Sequence, residues 1–236
     1  MAVVMRNEEI SPDIFHMIVG GISDGKCGQF YMLKPNNTLD PLLGRPISIL
    51  DCDPEHNTTS FLYQTVGKGT ELLSRLRTGD WIQVTGPFGN GFPELDADVT
   101  LIGGGIGIAP LYYYAREQKR KFPNRKLNIH LGFREETYYT EEFKELADEF
   151  TVNIGGYVTE DVDFTRDAIY VTCGPGPMMQ AVAKLCREHG KELYVSMEAR
   201  MACGVGACLA CTCKTVKGNK RVCKDGPVFR GEEIYE

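Results

Sequence analysis

The sequence lacks several features that would assign it to a large class of proteins. No apolar stretch approaches the roughly 20 residues that a membrane-spanning helix requires, and residues 1–9 carry charges where a secretory signal would be apolar. Internal repeats and low-complexity segments are missing too. The formal charge of −6 argues against a nucleic acid as partner. We therefore expect a cytoplasmic globular protein, and 236 residues suffice for two domains.

Cysteine, in contrast, is abundant and clustered. Five of the nine cysteines fall between positions 203 and 223. Four of these reproduce the C-x4-C-x2-C…C spacing of a plant-type 2Fe-2S cluster, and Gly204 and Gly206 allow the backbone to curl around inorganic sulfide. The spacing therefore predicts a cluster and electron transfer, with four ligands: Cys203, Cys208, Cys211 and Cys223.

Zinc and disulfides are the alternative interpretations of these cysteines. Structural zinc sites usually pair two short C-x2-4-C knuckles, whereas three thiols share one loop here. Disulfides suit secreted proteins, and no secretory signal is evident. The spacing from Cys208 favours Cys211 over the nearby Cys213, whose role stays open. Three isolated cysteines are expected in the core: Cys27, Cys52 and Cys186.

The texture of the chain changes near residue 97. Before it, short apolar runs separated by turn residues predict an antiparallel barrel or sandwich with one helix over residues 70–76. The runs cover residues 14–19, 29–33, 46–50, 60–66 and 81–85.

From residue 97 onward, strands alternate with helices. Predicted strands cover residues 99–102, 127–133, 169–172 and 193–197. Predicted helices cover residues 111–121, a segment that begins at Thr140 with an apolar stripe reaching Phe150, and a segment ending at His189. This alternation favours a Rossmann-like parallel sheet, in which ligands bind at the carboxyl ends of the strands.

Two glycine turns follow predicted strands. Glycine there lets backbone amides approach a pyrophosphate, and the next helix contributes its positive dipole. A tight packing corner is the alternative. In the second turn Cys173 is either a buried thiol or part of a nicotinamide pocket. The expected dinucleotide residues are Gly104, Gly105, Gly107, Cys173, Gly174 and Pro175.

The charges near the second strand do not choose between NAD and NADP. A standard Rossmann site places an acidic residue about 20 residues after the glycines, and none stands there. Arg134, Glu135 and Glu136 follow the second strand instead, and they are equally compatible with a solvated turn.

A flavin is expected between the nicotinamide and the cluster. Nicotinamide exchanges two electrons as hydride, whereas a 2Fe-2S cluster exchanges one, so a carrier capable of both is required. The candidate site is the tetrapeptide at residues 45–48, where Arg45 offers a guanidinium for phosphate and Ser48 a hydroxyl for the flavin ring. An ordinary strand start is the alternative.

Taken together, these motifs resemble the ferredoxin reductase superfamily. The resemblance rests on the order of residues 45–48, 67–70, 86–92, 103–110, 173–175 and the final cysteines. Within that superfamily, residues 201–208 and 221–229 are similar to the electron transfer subunits of dihydroorotate dehydrogenase B. The resemblance covers essentially the whole chain.

The resemblance implies three domains and a set of flavin contacts. The domains are a FAD-binding β-barrel (1–96), a NAD-binding α/β domain (97–198) and a 2Fe-2S lobe (199–236). The implied FAD contacts are Arg45, Pro46, Ile47, Ser48, Leu62, Tyr63, Gln64, Gly69 and Thr70. The superfamily often has tyrosine where Ile47 stands, so we expect ring stacking from a neighbour such as Tyr63. Only 11 residues separate Cys211 from Cys223, which makes a short hairpin.

The resemblance also implies a partner and a pathway. An FMN-containing dihydroorotate dehydrogenase catalytic subunit would oxidise dihydroorotate in pyrimidine (UMP) biosynthesis, in a heterotetramer with two copies of each subunit. Electrons would pass through the cluster and FAD to NAD+, so no catalytic acid or base is expected in this chain. The four histidines lie outside every motif.

Two other functions stay open from the sequence. One is the flavin and iron–sulfur subunit of another NAD(P)H:ferredoxin or sulfur-reducing oxidoreductase, because the motifs are shared across such reductases. The other is a non-catalytic redox sensor, in which the cysteine segment binds zinc or switches as thiols.

Overall fold

The first part of the chain forms a closed six-stranded antiparallel barrel. The computed structural model describes residues 2–35 and 39–235. The barrel order is β1-β2-β5-β4-β3-β6, so the predicted barrel is confirmed over the alternative sandwich. The strands are β1 (Ala2–Ser11), β2 (Ile14–Gly20), β3 (Phe30–Pro35), β4 (Arg45–Asp53), β5 (Thr58–Gln64) and β6 (Trp81–Phe88); helix α1 spans Lys68–Ser74. The sequence analysis did not predict β1.

Strand β5 shows how the barrel connects to the rest of the molecule. Phe61 and Tyr63 point into the barrel core, as the alternating pattern predicts. Leu62, on the opposite face, is buried as well because it packs with Val99 and Leu101 of the second part. One strand therefore contributes to both cores.

The second part is a six-stranded sheet in the order β14-β11-β10-β7-β8-β9. Five strands are parallel: β7 (Val99–Gly104), β8 (Leu127–Phe133), β9 (Glu149–Ile154), β10 (Ile169–Cys173) and β11 (Leu193–Ser196). The accompanying helices are α2 (Ile108–Lys121), α3 (Thr140–Lys144) and α4 (Gly176–Glu188). Helix α2 begins before the predicted start because Pro110 fits a first turn, where no backbone donor is needed.

The predicted helical stripe from Thr140 to Phe150 is wrong in its second half. Helix α3 ends at Lys144, and Phe150 lies in β9, which pairs with β8. The backbone of Asp148 donates to the carbonyl of Leu127, and its carboxylate accepts from the Leu127 amide at 2.7 Å. This pairing turns the chain into a strand before the helix can continue.

The C-terminal segment returns to the sheet. Its elements are β12 (Thr212–Thr215), β13 (Gly218–Arg221), α5 (Val222–Asp225), β14 (Val228–Arg230) and α6 (Gly231–Ile234). Strands β12 and β13 form a separate hairpin, and β14 pairs antiparallel with β11. The sheet is thus mixed, and the division into domains at residue 199 stays a prediction.

The strand order creates a topological switch point. From β7 the chain continues to β8 on one side and later returns to β10 on the other. Gly103 of β7 lies in register with Cys173 of β10, so the two glycine turns emerge side by side. Ligands of such sheets bind in the crevice outside these carboxyl ends.

Helix α2 attaches the sheet to the barrel. Tyr113 donates a hydrogen bond to the carbonyl of Gly25 at 3.2 Å, and Arg116 pairs with Asp51 and donates to the carbonyl of Cys52 at 2.9 Å.

Within the described residues, no helix has both the length and the apolar character needed to cross a membrane.

Candidate functional site

A cleft of about 870 Å³ lies between the barrel and the parallel sheet. Its walls come from β4, the end of β5, the start of α1, the start of α2 and the segment after β11. All nine predicted flavin residues line this cleft: Arg45, Pro46, Ile47, Ser48, Leu62, Tyr63, Gln64, Gly69 and Thr70. The fold thus brings together residues that are far apart in sequence.

The start of helix α1 is shaped around Arg45. A Cβ atom at Gly69 would lie 1.9 Å from Arg45 Nε, so the guanidinium rests directly on the glycine backbone. The hydroxyl of Thr70 donates to the carbonyl of Gly67 and accepts from the amide of Val66, both at 2.9 Å. These contacts fix the turn that holds the guanidinium at the cleft.

Basic side chains dominate the charge of the cleft. Arg45, Lys68 and Arg200 line it, and Glu198 is the one acid among the described lining residues. Lys68 also pairs with Asp40 at 2.5 Å. An excess of cations suits phosphate groups, which guanidinium and ammonium groups bind.

The expectation that Tyr63 supplies ring stacking is wrong. Its ring stacks on Phe15, with centroids 5.6 Å apart, and its hydroxyl donates to Asn7 at 2.9 Å. Because Tyr63 is 1% exposed, its ring is committed to the barrel core. Strand alternation places Tyr63 on the same face as Phe61, which is the signal that the sequence offered.

Close packing accounts for most of the glycines in the two turns. A Cβ atom at Gly107 would lie 2.5 Å from Gly174 Cα, and one at Gly174 would lie 2.9 Å from the amide nitrogen of Gly104. Gly105 differs, because its φ is +52° and a Cβ there would meet open space. The packing-corner interpretation therefore explains three glycines, whereas Gly105 leaves its backbone open to a ligand.

The dinucleotide candidates adjoin the cleft without lining it. None of the six residues predicted in the two turns belongs to the described cleft wall, which Ile106 and Ala109 reach from the same segment. Cys173 is 1% exposed, and burial raises the pKa of its thiol. Of its two alternatives, the buried thiol fits this environment better.

Sequence reasoning missed the segment after β11. Residues 197–201 line the cleft, and Glu198 lies among them. The residue is exposed, and desolvation by the surrounding cleft raises the pKa of its carboxyl above its ordinary value. Their position at the carboxyl end of a parallel strand was the signal that would have found them.

In the cysteine loop, which we define as residues 203–223, backbone amides point at the thiol sulfurs. The Gly206 amide donates to Cys223 Sγ at 3.1 Å, and the Cys208 amide donates to Cys203 Sγ at 3.4 Å. Hydrogen bonds from the Cys208 and Val205 amides lower the pKa of Cys203 to about 6. Amides aimed at sulfur are what an anionic iron–sulfur cluster requires.

The four predicted ligands differ in exposure. Cys211 and Cys223 are buried, Cys203 is partly buried and Cys208 is exposed. Burial raises the pKa of Cys223 to about 11, but a coordinating metal deprotonates a thiol. Glycine is required at Gly206, where φ is +80° and a Cβ would lie 2.7 Å from the Lys224 side chain.

The donor set fits iron and sulfide by chemistry and by its amide contacts. In the described ranges 2–35 and 39–235, no three His, Cys, Asp or Glu side chains are placed so that they could hold one metal ion.

Cys213 lies in β12 opposite Lys220, partly buried against the core.

The cysteine loop and the cleft are neighbours. Met201 lines the cleft, and Cys203 follows two residues later. A Cβ atom at Gly204 would lie 3.0 Å from the Phe88 ring at the end of β6. The loop is therefore packed on the barrel, directly beside the cleft.

Solved structures with the same architecture define the class of protein. An NADH-dependent reduced ferredoxin-NADP oxidoreductase, studied for flavin-based electron bifurcation, superposes with a TM-score of 0.88 at 31% identity, covering 99% of this chain and 89% of that one. The ferredoxin reductase of carbazole 1,9a-dioxygenase shares the fold, with a TM-score of 0.68 at 17% identity over 80% of this chain and 65% of that one. The chain is an oxidoreductase subunit of ferredoxin reductase-like fold with a cysteine-rich C-terminal segment.

Sequence relatives narrow that class to a family. The iron–sulfur cluster binding domain of dihydroorotate dehydrogenase B matches residues 198–235. The dihydroorotate dehydrogenase B (NAD(+)) electron transfer subunit of Clostridium perfringens is 42% identical over 241 residues, covering 98% of this chain and 96% of that protein. The same subunit of Clostridium acetobutylicum is 40% identical over 240 residues, covering 98% and 95%. The chain belongs to the family of dihydroorotate dehydrogenase B electron transfer subunits.

Proposed function

We propose that this chain carries electrons from an FMN-containing dihydroorotate dehydrogenase catalytic subunit to NAD+, by way of a 2Fe-2S cluster and FAD. It does so in de novo pyrimidine biosynthesis, within a cytoplasmic heterotetramer of two copies of each subunit. One observation carries the proposal: the cysteine loop is packed beside the cleft that contains every predicted flavin residue. Electron transfer between two cofactors requires such a neighbouring arrangement.

The cleft residues bind and orient the flavin. Arg45 and Arg200 provide positive charge for the pyrophosphate, and the backbone near Gly69 and Thr70 provides amides at the start of α1. Ser48 lines the cleft and would offer its hydroxyl to the flavin ring. When bound, the flavin supplies the exchange between hydride transfer and single-electron transfer.

The cysteine loop binds the iron–sulfur cluster. Cys203, Cys208, Cys211 and Cys223 are the proposed ligands, and the amides at positions 206 and 208 stabilise negative charge on sulfur. The 1–96, 97–198 and 199–236 division assigns one cofactor to each domain.

The switch point binds NAD+. The N-terminus of α2 and the open backbone of Gly105 face the crevice where a pyrophosphate binds in such sheets. Arg134, Glu135 and Glu136 are all exposed after β8, so the choice of NAD over NADP rests on the family.

Dihydroorotate chemistry belongs to the partner subunit. Among the described cleft residues there is no histidine, and hydride transfer to NAD+ requires no acid or base. His130 is buried against Thr151, and His56 is exposed beside Asp53. These two histidines thus serve the fold and the surface, respectively.

Electron paramagnetic resonance of the anaerobically purified chain, before and after NADH, tests the cofactor chain. Visible spectra of the same sample follow the flavin. We expect a reduced 2Fe-2S signal to appear as the flavin bleaches. Zinc in place of iron, or a cluster that dithionite cannot reduce, would overturn the proposal in favour of a redox sensor.

Reconstitution tests the proposed partner. The chain should copurify with a dihydroorotate-oxidising flavoprotein and restore NAD-linked oxidation of dihydroorotate to it. A subunit that instead transfers electrons between NAD(P)H and ferredoxin would leave that flavoprotein without NAD-linked activity. Electron transfer between NAD(P)H and ferredoxin is the second candidate function, because the chain is similar to the NADH-dependent reduced ferredoxin-NADP oxidoreductase.

A further inference from the structure

Two exposed apolar side chains line one end of the cleft. Leu43 is 44% exposed and Val66 is 77% exposed, although both belong to the cleft wall. A single apolar side chain on a protein surface needs no explanation, but ligand sites are lined mainly by apolar groups. Two such side chains, brought to one cleft by separate segments, therefore point to a ligand group that covers them.

Both residues are hydrogen-bonded to groups of the proposed phosphate site. The Arg45 guanidinium donates to the carbonyl of Leu43. On the other wall, the amide of Val66 donates to the hydroxyl of Thr70 at 2.9 Å. Arg45 also rests on the backbone of Gly69, next to Thr70. Leu43 and Val66, which we call the apolar pair, thus adjoin the place where a phosphate would bind.

Strand direction places the apolar pair far from Ser48. Ser48 lies three residues after Arg45 on β4, about 10 Å away at the rise of a strand, whereas Leu43 precedes Arg45. Strand β5 runs antiparallel to β4, so Val66, which follows β5, emerges at the Leu43 end. The cleft therefore has Ser48 at one end, the cationic site in the middle and the apolar pair at the other end.

The Ser48 end is the one that adjoins the cysteine loop. Ser48 lies in register with Phe30, and the centroid of the Phe30 ring is 6.0 Å from that of Phe88. Phe88 packs against Gly204 of the cysteine loop. Under the proposed function, electron exchange with the cluster requires the flavin ring at this end. The adenosine of FAD, beyond the pyrophosphate at Arg45, then extends to the apolar pair. FMN ends at its phosphate and has no such group.

We propose that the apolar pair binds the adenine ring of FAD and thereby selects FAD over FMN. The proposal deepens the proposed function and rests on it, because it presupposes a flavin in the cleft. Adenine is a flat ring with apolar faces, and removing those faces and two apolar side chains from water is favourable. Charge cannot provide the selection, since both flavins carry negative phosphate groups that the cations of the cleft attract.

Titration of the flavin-free chain with FAD and with FMN tests this role, with flavin fluorescence as the readout. The unmodified chain should bind FAD more tightly than FMN. The double variant Leu43→Ala/Val66→Ala loses most of the apolar contact with adenine, so its FAD binding should weaken about tenfold. Its FMN binding should change less than about twofold, because FMN has no adenine.

Leu42→Ala is the matched control. Leu42 is the neighbour of Leu43 and is 69% exposed, but it does not belong to the cleft wall among the described residues. Its variant should change neither dissociation constant. Unchanged FMN binding shows that the cleft of the double variant is intact, and iron content, measured on every variant, checks the cysteine loop.

The outcomes separate this proposal from the proposed function. If the unmodified chain binds FMN as tightly as FAD, or if the double variant keeps the original preference, the apolar pair does not select FAD, and the proposed function is unaffected. Equal losses for both flavins, or an equal loss of FAD binding in Leu42→Ala, would overturn the selection as well. If the unmodified chain binds neither flavin, the cleft is not a flavin site, and both proposals are overturned.

Discussion

The cysteine loop and the cleft are two sites built in opposite ways. The loop places four proposed ligands within 21 consecutive positions, and its own amides contact their sulfurs. The cleft is assembled from β4, β5, α1, α2 and the segment after β11. A local site can therefore be predicted from residue spacing alone, whereas a site assembled from distant segments can be recognised only when the topology is known.

The two sites also differ in the direction in which they shift the pKa of an acidic group. In the loop, amide donors lower the pKa of Cys203 to about 6, which favours the anion. In the cleft, desolvation raises the pKa of the exposed Glu198, which disfavours its anion. The loop is not uniform in this respect, because burial raises the pKa of Cys223 to about 11.

The largest effect should come from breaking the local site. Cys223→Ser removes a buried proposed ligand that accepts the Gly206 amide, and we expect essentially complete loss of bound iron and sulfide. Flavin content should persist, because the cleft is built from other elements. Iron, sulfide and flavin analyses of the purified protein measure both.

The fifth thiol provides the matched control. Cys213→Ser changes a cysteine only two positions from Cys211, on the strand β12. Iron content should equal that of the unmodified protein. If Cys213→Ser loses iron and Cys223→Ser retains it, Cys213 is a ligand and Cys223 is not.

How much the sequence predicts follows the same division. Spacing alone predicts the four cysteines as ligands, because their contacts are local. Alternation predicted the barrel, and the resemblance implied the nine residues that line the cleft, but β1, β9 and β14 were missed. The segment at residues 197–201 was missed because its place in the cleft depends on where β11 lies in the sheet.

The next effect concerns the assembled site. Gly69→Ala places a methyl group on the Arg45 guanidinium, and because that side chain is flexible, it should move instead of unfolding α1. Losing a charged phosphate contact costs about 1.5–3 kcal/mol, so flavin affinity should fall about tenfold or more. Fluorescence titration of the flavin-free protein measures this.

Gly67 provides the comparison for that variant. A Cβ atom there has nothing within 4 Å, although Gly67 lines the same cleft. Gly67→Ala should therefore keep flavin affinity within about twofold, and iron content should stay constant in both variants. Equal losses of affinity in the two would show that Arg45 is not the cause.

Stability separates packing from conformation in the glycine turns. Gly107 has φ −63°, which alanine adopts readily, but its Cβ would meet the Gly174 backbone. Overpacking costs about 1–3 kcal/mol, so Gly107→Ala should lower the free energy of unfolding in urea by that amount. Gly105→Ala meets open space and should cost only the left-handed strain of about 1 kcal/mol. The reverse order would contradict the packing account.

The smallest effect is a pH dependence that belongs to the sheet beneath the cleft and not to the loop. His130 is 2% exposed, its Nδ1 lies 2.7 Å from Thr151 Oγ1, and burial lowers its pKa below 6.5. Below about pH 6.5 the unfolded chain therefore binds a proton that the folded chain does not. The free energy of unfolding thus decreases as the pH is lowered, by less than about 1.4 kcal/mol per pH unit. His130→Gln should reduce this slope, as measured by urea unfolding between pH 5 and 7, and the remainder belongs to His16, whose pKa burial also lowers.

His56 gives the opposite sign and serves as the control. Its exposed ring lies 2.7 Å from the Asp53 carboxylate, and that hydrogen bond raises its pKa. Its contribution is present below the unfolded pKa and is lost as pH rises, and its full exposure makes it small. His56→Gln should therefore leave the acid-side slope in place. An unchanged slope in His130→Gln would show that a group other than His130 causes the pH dependence of stability.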